Sequence, residues 1–328
     1  MVNIWTQRMN MSFFNKIASI TGKTVLALAL YKTWRFISLH LVLYGDRNLD
    51  RYKSKTQESW ALVTGASAGI GYAYAEELVS RGFGVILLGH KPDELQQAES
   101  KLKSMPGQPK IKLITLDAIT ATPAEIDSAL DPVKEMHLSI LINNVGGVTA
   151  QPSFKSFVEY SATEIEAIIN LNARFMAHVT HILLPSLKRN GPSLVLNMSS
   201  GSHMGMPWLC MYSAVKGFNA SISRAISREA KALGMAIDSI VVYPGDVQSQ
   251  ANTHGLAPLS PTASHYAKVT LDRVVTAVRQ GRNELNPFFL HGLSGLLDFV
   301  PETLFQKLVE GSIAEKVRVY GELAEKTR

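Results

Sequence analysis

From Trp60 onward the chain alternates short apolar runs with longer stretches whose apolar positions recur at helical spacing. The runs are Ala61–Thr64, Val85–Leu88, Lys112–Leu116, Ile140–Ile142, Leu194–Asn197, Ser239–Val242 and Phe288–Leu290. They are rich in β-branched residues and show little apolar–polar alternation, as strands do when a parallel sheet is covered on both faces. The stretches between them, Ile70–Arg81, Asp93–Lys103, Thr163–Lys188, Met211–Leu233 and His265–Gln280, read as helices with one apolar face. This alternation predicts an α/β fold built on a doubly wound parallel sheet of about seven strands. Lys103–Lys110 is a Pro/Gly turn, and Gln248–Pro261 is a polar loop broken by Gly255, Pro258 and Pro261, of a length that suits a lid. Pro301–Arg328 returns to helical spacing with a mixed-charge face, and no internal repeat or low-complexity segment is present.

Charge separates the N-terminus from the rest. The chain carries a net charge of +6, and all of it lies in the first 59 residues, where nine Lys/Arg face three acids. The remainder is neutral, which argues against a spread-out nucleic-acid surface. A basic, apolar extension suits an anionic membrane surface. Within it, Thr24–Tyr44 is about long enough to cross a bilayer. Lys32 and Arg35 stand near its middle on one helical face, each costing roughly 2.5–3.5 kcal/mol at a bilayer centre. A helix lying in the interface, cations toward headgroups and Trp34, Phe36 and the leucines buried, costs less. Packing on the protein's own surface or on a second subunit also satisfies the pattern. The segment lacks the compact apolar core and small-residue site of a cleaved signal peptide. Three parts follow: a membrane-associating extension (1–59), a main domain (60–300) and a helical tail (301–328). Cys210 is the single cysteine, so neither a disulfide framework nor a cysteine metal cluster is expected, in keeping with a reducing or cytosol-facing setting. No metal site is expected.

The candidate chemistry begins after the first strand, where Thr64–Gly71 reads TGASAGIG and leads into a helix. Strand, glycine turn and helix in that order form a phosphate cradle. Gly65 allows the tight turn, Gly69 lets backbone approach a pyrophosphate, and Gly71 lets helix and strand pack closely. Ser67 and Ile70 lie in the same turn, and the helix start offers free N–H groups to the anion. The second strand ends Gly89-His90-Lys91. A site selective for NAD places an acid about here to bind the ribose 2′-hydroxyl. His90 and Lys91 would instead welcome a 2′-phosphate, which favours NADP(H), although both residues also suit the start of a solvated helix. Further on, Tyr212 and Lys216 form a YxxxK pair, one helical turn apart and on one face. A phenol near pKa 10 is a poor acid–base at neutral pH, and a nearby cation draws it toward the useful range.

Five motifs in order, over Trp60 to about Val247, resemble the short-chain dehydrogenase/reductase family, whose glycine turn has this TGxxxGxG spacing. The resemblance implies a Rossmann-type sheet and gives further residues a role. Asp117, closing the third strand, would bond the adenine amino group. Asn144, in Asn143-Asn144-Val145-Gly146, would bring backbone to the cofactor, with Val145 where the family has Ala. A Ser at the exit of the fifth strand would hold the substrate oxygen beside Tyr212. In Asn197-Met198-Ser199-Ser200-Gly201, strict counting selects Ser199, thirteen residues before Tyr212, but motif alignment, with one residue lost from the following loop, selects Ser200, twelve before it, and Ser200 is the expected residue. Asn172, in Ile169-Asn170-Leu171-Asn172, would support a water that relays protons to Lys216. Val247 and Ser249, after Tyr243-Pro244-Gly245-Asp246, match the segment that closes over the nicotinamide.

A narrower resemblance covers the apolar extension, Ala73–Leu78, Ser80–Leu88, Asn197–Ser202 and His291–Gly311. It points to the very-long-chain 3-oxoacyl-CoA reductase and 17-beta-hydroxysteroid dehydrogenase branch. That branch implies an enzyme at the endoplasmic reticulum with its active site facing the cytosol, using NADPH on a 3-keto group, and commonly pairing as a homodimer. The chain departs from it at His90, where relatives carry Arg, in the shortened Ser–Tyr loop and in Gln248–Pro261. The expected activity is reduction of a hydrophobic 3-ketoacyl-CoA or a related lipid or steroid ketone. A ketoreductase of a specialised metabolite shares every one of these motifs, and a catalytically silent, membrane-associated binding protein is the reading from another class.

Overall fold

A computed structural model describes residues 2–40, 49–293, 295 and 300–326. They belong to two compact units, Met1–Leu43 and Tyr44–Arg328, each described by itself. In the larger unit, β1 (Trp60–Thr64), β2 (Gly84–Gly89), β4 (Leu138–Asn143) and β5 (Ser193–Met198) are buried at every position. Both of their faces are covered by helices, so neither face needs polar residues. With β3 (Ile111–Thr115), β6 (Ile237–Val242) and β7 (Glu284–Leu285) they form one seven-stranded parallel sheet in the order β3-β2-β1-β4-β5-β6-β7. The winding reverses between β1 and β4, and a crevice opens beyond the carboxyl ends of strands at such a reversal.

Helix α2 (Gly69–Ser80) follows β1, α3 (Pro92–Lys103) follows β2, and α4 (Pro123–Lys134) follows β3. The start of α4 is a capping box, Thr122 and Glu125 each accepting from the other's backbone N–H, with Pro123 in the first turn. The predicted helix Thr163–Lys188 is α5 (Ala162–Ile169), a π turn at Asn170–Arg174, then α6 (Phe175–Arg189). One face of α6, Phe175, Val179, Leu183 and Leu187, packs with Ile126, Leu130 and Val133 of α4 over Leu62, Leu141 and Val195 of the sheet. After β5 comes α7 (Cys210–Ala232), and after β6 comes α8 (Ala263–Arg279), which packs on α2.

The seventh apolar run is not the seventh strand. Glu284 and Leu285 pair with Val241 and Val242, whereas Phe288 precedes the short α9 (Phe289–Gly292). Pro287 has no N–H for the ladder, so pairing stops before the more apolar residues. The tail forms α10 (Glu302–Lys326), with Val309 and Ile313 buried. Residues 49–59 also lie in this unit: Leu49 and Tyr52 are buried, the Tyr52 hydroxyl donates to Asp238 at 2.9 Å, and Arg51 pairs with the same carboxylate at 3.0 Å.

The smaller unit is α1 (Val2–His40). Phe13–His40 is long and apolar enough to cross a membrane by length and composition, with a mean hydropathy of 1.2. Phe13, Phe14, Ile20, Leu26, Leu30 and Trp34 are all exposed. The sequence-based segment Thr24–Tyr44 is helical as far as His40, and residues 41–44 lie outside the described residues.

Candidate active site

The crevice is floored by the glycine turn. Gly65 and Gly69 take φ of +65° and +58°, which side chains with a Cβ rarely adopt. A Cβ on Gly71 would lie 2.1 Å from the Gly65 carbonyl oxygen, so only glycine lets α2 start this close to β1. No side chain caps α2, and its first turn holds no acid. The N–H groups there suit an anionic ligand, which is the requirement a pyrophosphate imposes. Asn144 stiffens the turn: its Nδ2 donates to the carbonyls of Thr64 at 3.1 Å and Gly65 at 3.3 Å, and its backbone N–H donates to Thr64 Oγ1 at 3.0 Å. Ser249 stands above the turn, 3.6 Å from where a Gly69 Cβ would be, and Val247 is buried behind it. Asp117 is exposed just beyond β3 and accepts from the Ile119 N–H at 2.8 Å.

His90 and Lys91 are exposed beyond β2. The sequence reading finds no acid among residues 89–91, but α3 supplies one. Glu94 accepts from Lys91 at 2.7 Å through Oε1 and from the Ser67 hydroxyl at 3.1 Å through Oε2. The hydrogen bond from Lys91, above all, holds its carboxyl below the usual range. An i,i+3 Lys–Glu pair is readable in the sequence; the contact with Ser67, 27 positions away, is not.

Tyr212 and Lys216 lie one turn apart at the start of α7, with the Lys216 Nζ 5.3 Å from the centre of the Tyr212 ring. Lys216 is buried, donates to the Met198 carbonyl at 3.2 Å, and is pushed down to about 8 by burial. Burial pushes the Tyr212 phenol up to about 12, against the pull of its hydrogen bond with Ser200. The expected lowering of the phenol by Lys216 is not found: burial raises it instead, because each group loses hydration of its charged form. Both groups rest nearer neutrality, tyrosine as phenol.

The two serines divide their work. Ser199 is buried and its hydroxyl donates to the Lys216 carbonyl at 2.8 Å, so it ties β5 to α7. Ser200 points toward Tyr212, and its Oγ accepts from the N–H and hydroxyl of Ser202 at 3.1 and 3.0 Å. Asn172 is fully buried in the π turn. Its Nδ2 donates to the carbonyls of Gly147 and Ile168, both at 2.9 Å, and its Oδ1 accepts from the Gly147 N–H at 3.0 Å. A Cβ on Gly146 would sit 2.7 Å from Asn172 Oδ1 and 2.8 Å from Lys216 Nζ. The missing methyl is what lets Asn172 and Lys216 crowd the same glycine. Single-turn π bulges recur at functional sites, where they set a side chain out of helical phase.

Asp246 is a residue that motif reading passes over. Its Oδ1 accepts from Asn252 at 2.6 Å and from Lys316 of α10 at 2.8 Å, and its Oδ2 from the Ala257 N–H at 2.6 Å and Ser260 at 3.2 Å. Among the described residues no group of His, Cys, Asp and Glu is arranged to hold a metal ion.

Comparison with known proteins agrees with this architecture. The short chain dehydrogenase family profile matches residues 59–257. A very-long-chain 3-oxoacyl-CoA reductase-B of Danio rerio is 28% identical over 304 residues, 91% of this chain and 94% of that protein. Reductase-A of the same fish is 30% identical over 274 residues, 82% and 81% of the two chains. The human very-long-chain 3-oxoacyl-CoA reductase is 28% identical over 253 residues, 76% and 78%. Among solved structures, a short-chain dehydrogenase from Sphingobium yanoikuyae in complex with NADPH superposes with a TM-score of 0.60 at 22% identity, covering 74% of this chain and 97% of that one. With the family profile spanning more than half of its residues and relatives aligned along nearly its whole length, this chain belongs to the short-chain dehydrogenase family of oxidoreductases.

Proposed function

We propose that the protein reduces the keto group of a hydrophobic 3-ketoacyl-CoA, using NADPH. The observation that carries this reading is the grouping of Tyr212, Ser200, Lys216 and Asn172 beside the glycine turn. Its support for the substrate is the alignment with relatives named very-long-chain 3-oxoacyl-CoA reductase over most of the chain. The side chains of His90 and Lys91, and a structural neighbour solved with NADPH, support the choice of cofactor. Gly65, Ser67, Gly69, Ile70 and Gly71 would hold the pyrophosphate, Asp117 the adenine, and Val247 and Ser249 the nicotinamide end.

When bound, NADPH supplies the hydride for the carbonyl carbon. The Tyr212 phenol, neutral at working pH, gives its proton to the carbonyl oxygen while the Ser200 hydroxyl donates a second hydrogen bond to it. Lys216 then returns a proton to Tyr212, and the Asn172 turn connects Lys216 with solvent. The exposed apolar α1 would hold the enzyme at a membrane, the cytosolic face of the endoplasmic reticulum in the branch it resembles, where a long acyl chain is at hand.

The test is NADPH oxidation with 3-ketoacyl-CoA substrates of several chain lengths, with Tyr212→Phe as control. Turnover that Tyr212→Phe lowers by about 10²–10⁴ supports the reading. No turnover at any chain length, with NADPH still bound, rejects the substrate class.

A further inference from the structure

The sequence puts His90 and Lys91 at the ribose end of the cofactor site, but the structure places a carboxylate beside them. Glu94 bridges two turns: one oxygen takes the Lys91 ammonium at 2.7 Å, and the other takes the hydroxyl of Ser67, inside the glycine turn, at 3.1 Å. The side chain is 28% exposed, against 53% for Lys91, so solvent reaches the pair and an incoming anion can compete for the lysine. We propose that Glu94 sets how strongly this site distinguishes a 2′-phosphate from a free ribose hydroxyl, by neutralising Lys91 and by offering an acceptor of its own.

Charge sets the competition at Lys91. A 2′-phosphate carries close to two negative charges and needs uncompensated donors. With Glu94 in place, Lys91 contributes an ion pair that is already neutral, and the phosphate must displace the carboxylate or share the cation with it. A ribose hydroxyl faces no such competition, since a carboxylate accepts from it readily. Glu94 therefore works against the selection that His90 and Lys91 would exert alone, and the wild-type site takes both forms of the nucleotide with a moderate preference. Asp93, the neighbouring acid in the first turn of α3, has neither contact.

The inference rests on placing His90 and Lys91 at the ribose of NADP(H), and the experiment separates the two claims. Binding of 2′,5′-ADP and of 5′-AMP to the full-length protein is measured by calorimetry for wild type, Glu94→Gln and Glu94→Gln/Lys91→Met. The wild-type ratio reads the cofactor assignment: tighter binding of 5′-AMP than of 2′,5′-ADP overturns NADP(H) without touching Glu94. The change in that ratio reads Glu94. Glu94→Gln, which keeps the shape and one acceptor but removes the charge, should raise the preference for 2′,5′-ADP about tenfold, as an unshared charge-assisted contact does. Adding Lys91→Met should remove the gain. A ratio unchanged by Glu94→Gln, or a gain that survives Lys91→Met, overturns the proposal.

Discussion

Lys316, on the C-terminal helix, holds Asp246 at 2.8 Å, one residue before the buried Val247. Both side chains are largely buried, at 16% and 18% exposure. Burial alone would push the Asp246 carboxyl up, but hydrogen bonds from Lys316, the Ala257 N–H and Asn252 more than offset it and hold it below the usual range. The tail thus anchors the 246–260 loop rather than merely following the domain.

Lys316→Met should cost about 1–3 kcal/mol of stability, because it leaves a mostly buried carboxylate short of its cation. It should also speed proteolysis within residues 250–258. The pH sign follows from the depressed carboxyl: its contribution is present above the ordinary Asp value and is lost as pH falls through the lower, folded one. Urea melts at pH 7 and pH 3 should separate wild type from variant at the higher pH and bring them closer at the lower. Equal stability at pH 7 would contradict the anchoring role.

Lys216→Met should abolish turnover yet stabilise the free protein. Burial lowers Lys216 to about 8, so between about pH 8 and 10.5 the unfolded chain binds the extra proton and stability rises with pH. At neutral pH the charged lysine is a burden of about 1–3 kcal/mol, which methionine removes. The Met198 carbonyl keeps its other donor, Asn219 Nδ2 at 3.2 Å. A melting temperature that rises by a few degrees at pH 7, with the gap narrowing toward pH 10, is the expected result.

Gly146→Ala should separate Asn172 from Lys216. Its methyl would fall under 3 Å from both polar atoms, and overpacking of this kind costs about 1–3 kcal/mol. Turnover should drop at least about tenfold. An unaltered kcat would mean that the two side chains need not converge.

The adjacent serines offer a control built into the chain. Ser200→Ala should lower kcat by about 10²-fold, by removing a donor to the reacting oxygen, and should cost about 0.5–2 kcal/mol through the lost cap on Ser202. Ser199→Ala should cost about 1–2 kcal/mol of stability, by leaving the Lys216 carbonyl short of a buried donor, and should spare more of the activity. Reversal of the two phenotypes would transfer the substrate contact to Ser199.

Deleting residues 1–45 removes α1 and should move the protein from the membrane pellet to the supernatant of fractionated cells. Unchanged fractionation would assign membrane binding, where present, to the remaining chain.

The sequence carried the parts of the site whose partners are near neighbours in the chain. The glycine turn, the Tyr212–Lys216 turn and the buried strands each follow from spacing over a few residues, and β1–β6 lie where the apolar runs put them, within a residue or two at the edges. Legibility failed where tertiary packing decides. Glu94 sits within the charge pattern of an ordinary helix start and becomes part of the site only because the sheet brings Ser67 beside it. Lys316 is 70 positions from Asp246, and no local signal links them. The covering of the Ser199 hydroxyl by α7 has no local signal, and the strand end at Leu285 turned on Pro287 rather than on hydropathy.

Cys210 opens α7 two residues before Tyr212, is exposed, and is the sole cysteine of the chain. A thiol-reactive fluorophore would therefore attach at a single known point without any engineered substitution. Two residues from Tyr212, that dye becomes an optical gauge of nucleotide entry in the native sequence, and its signal can be read in variants that no longer turn over.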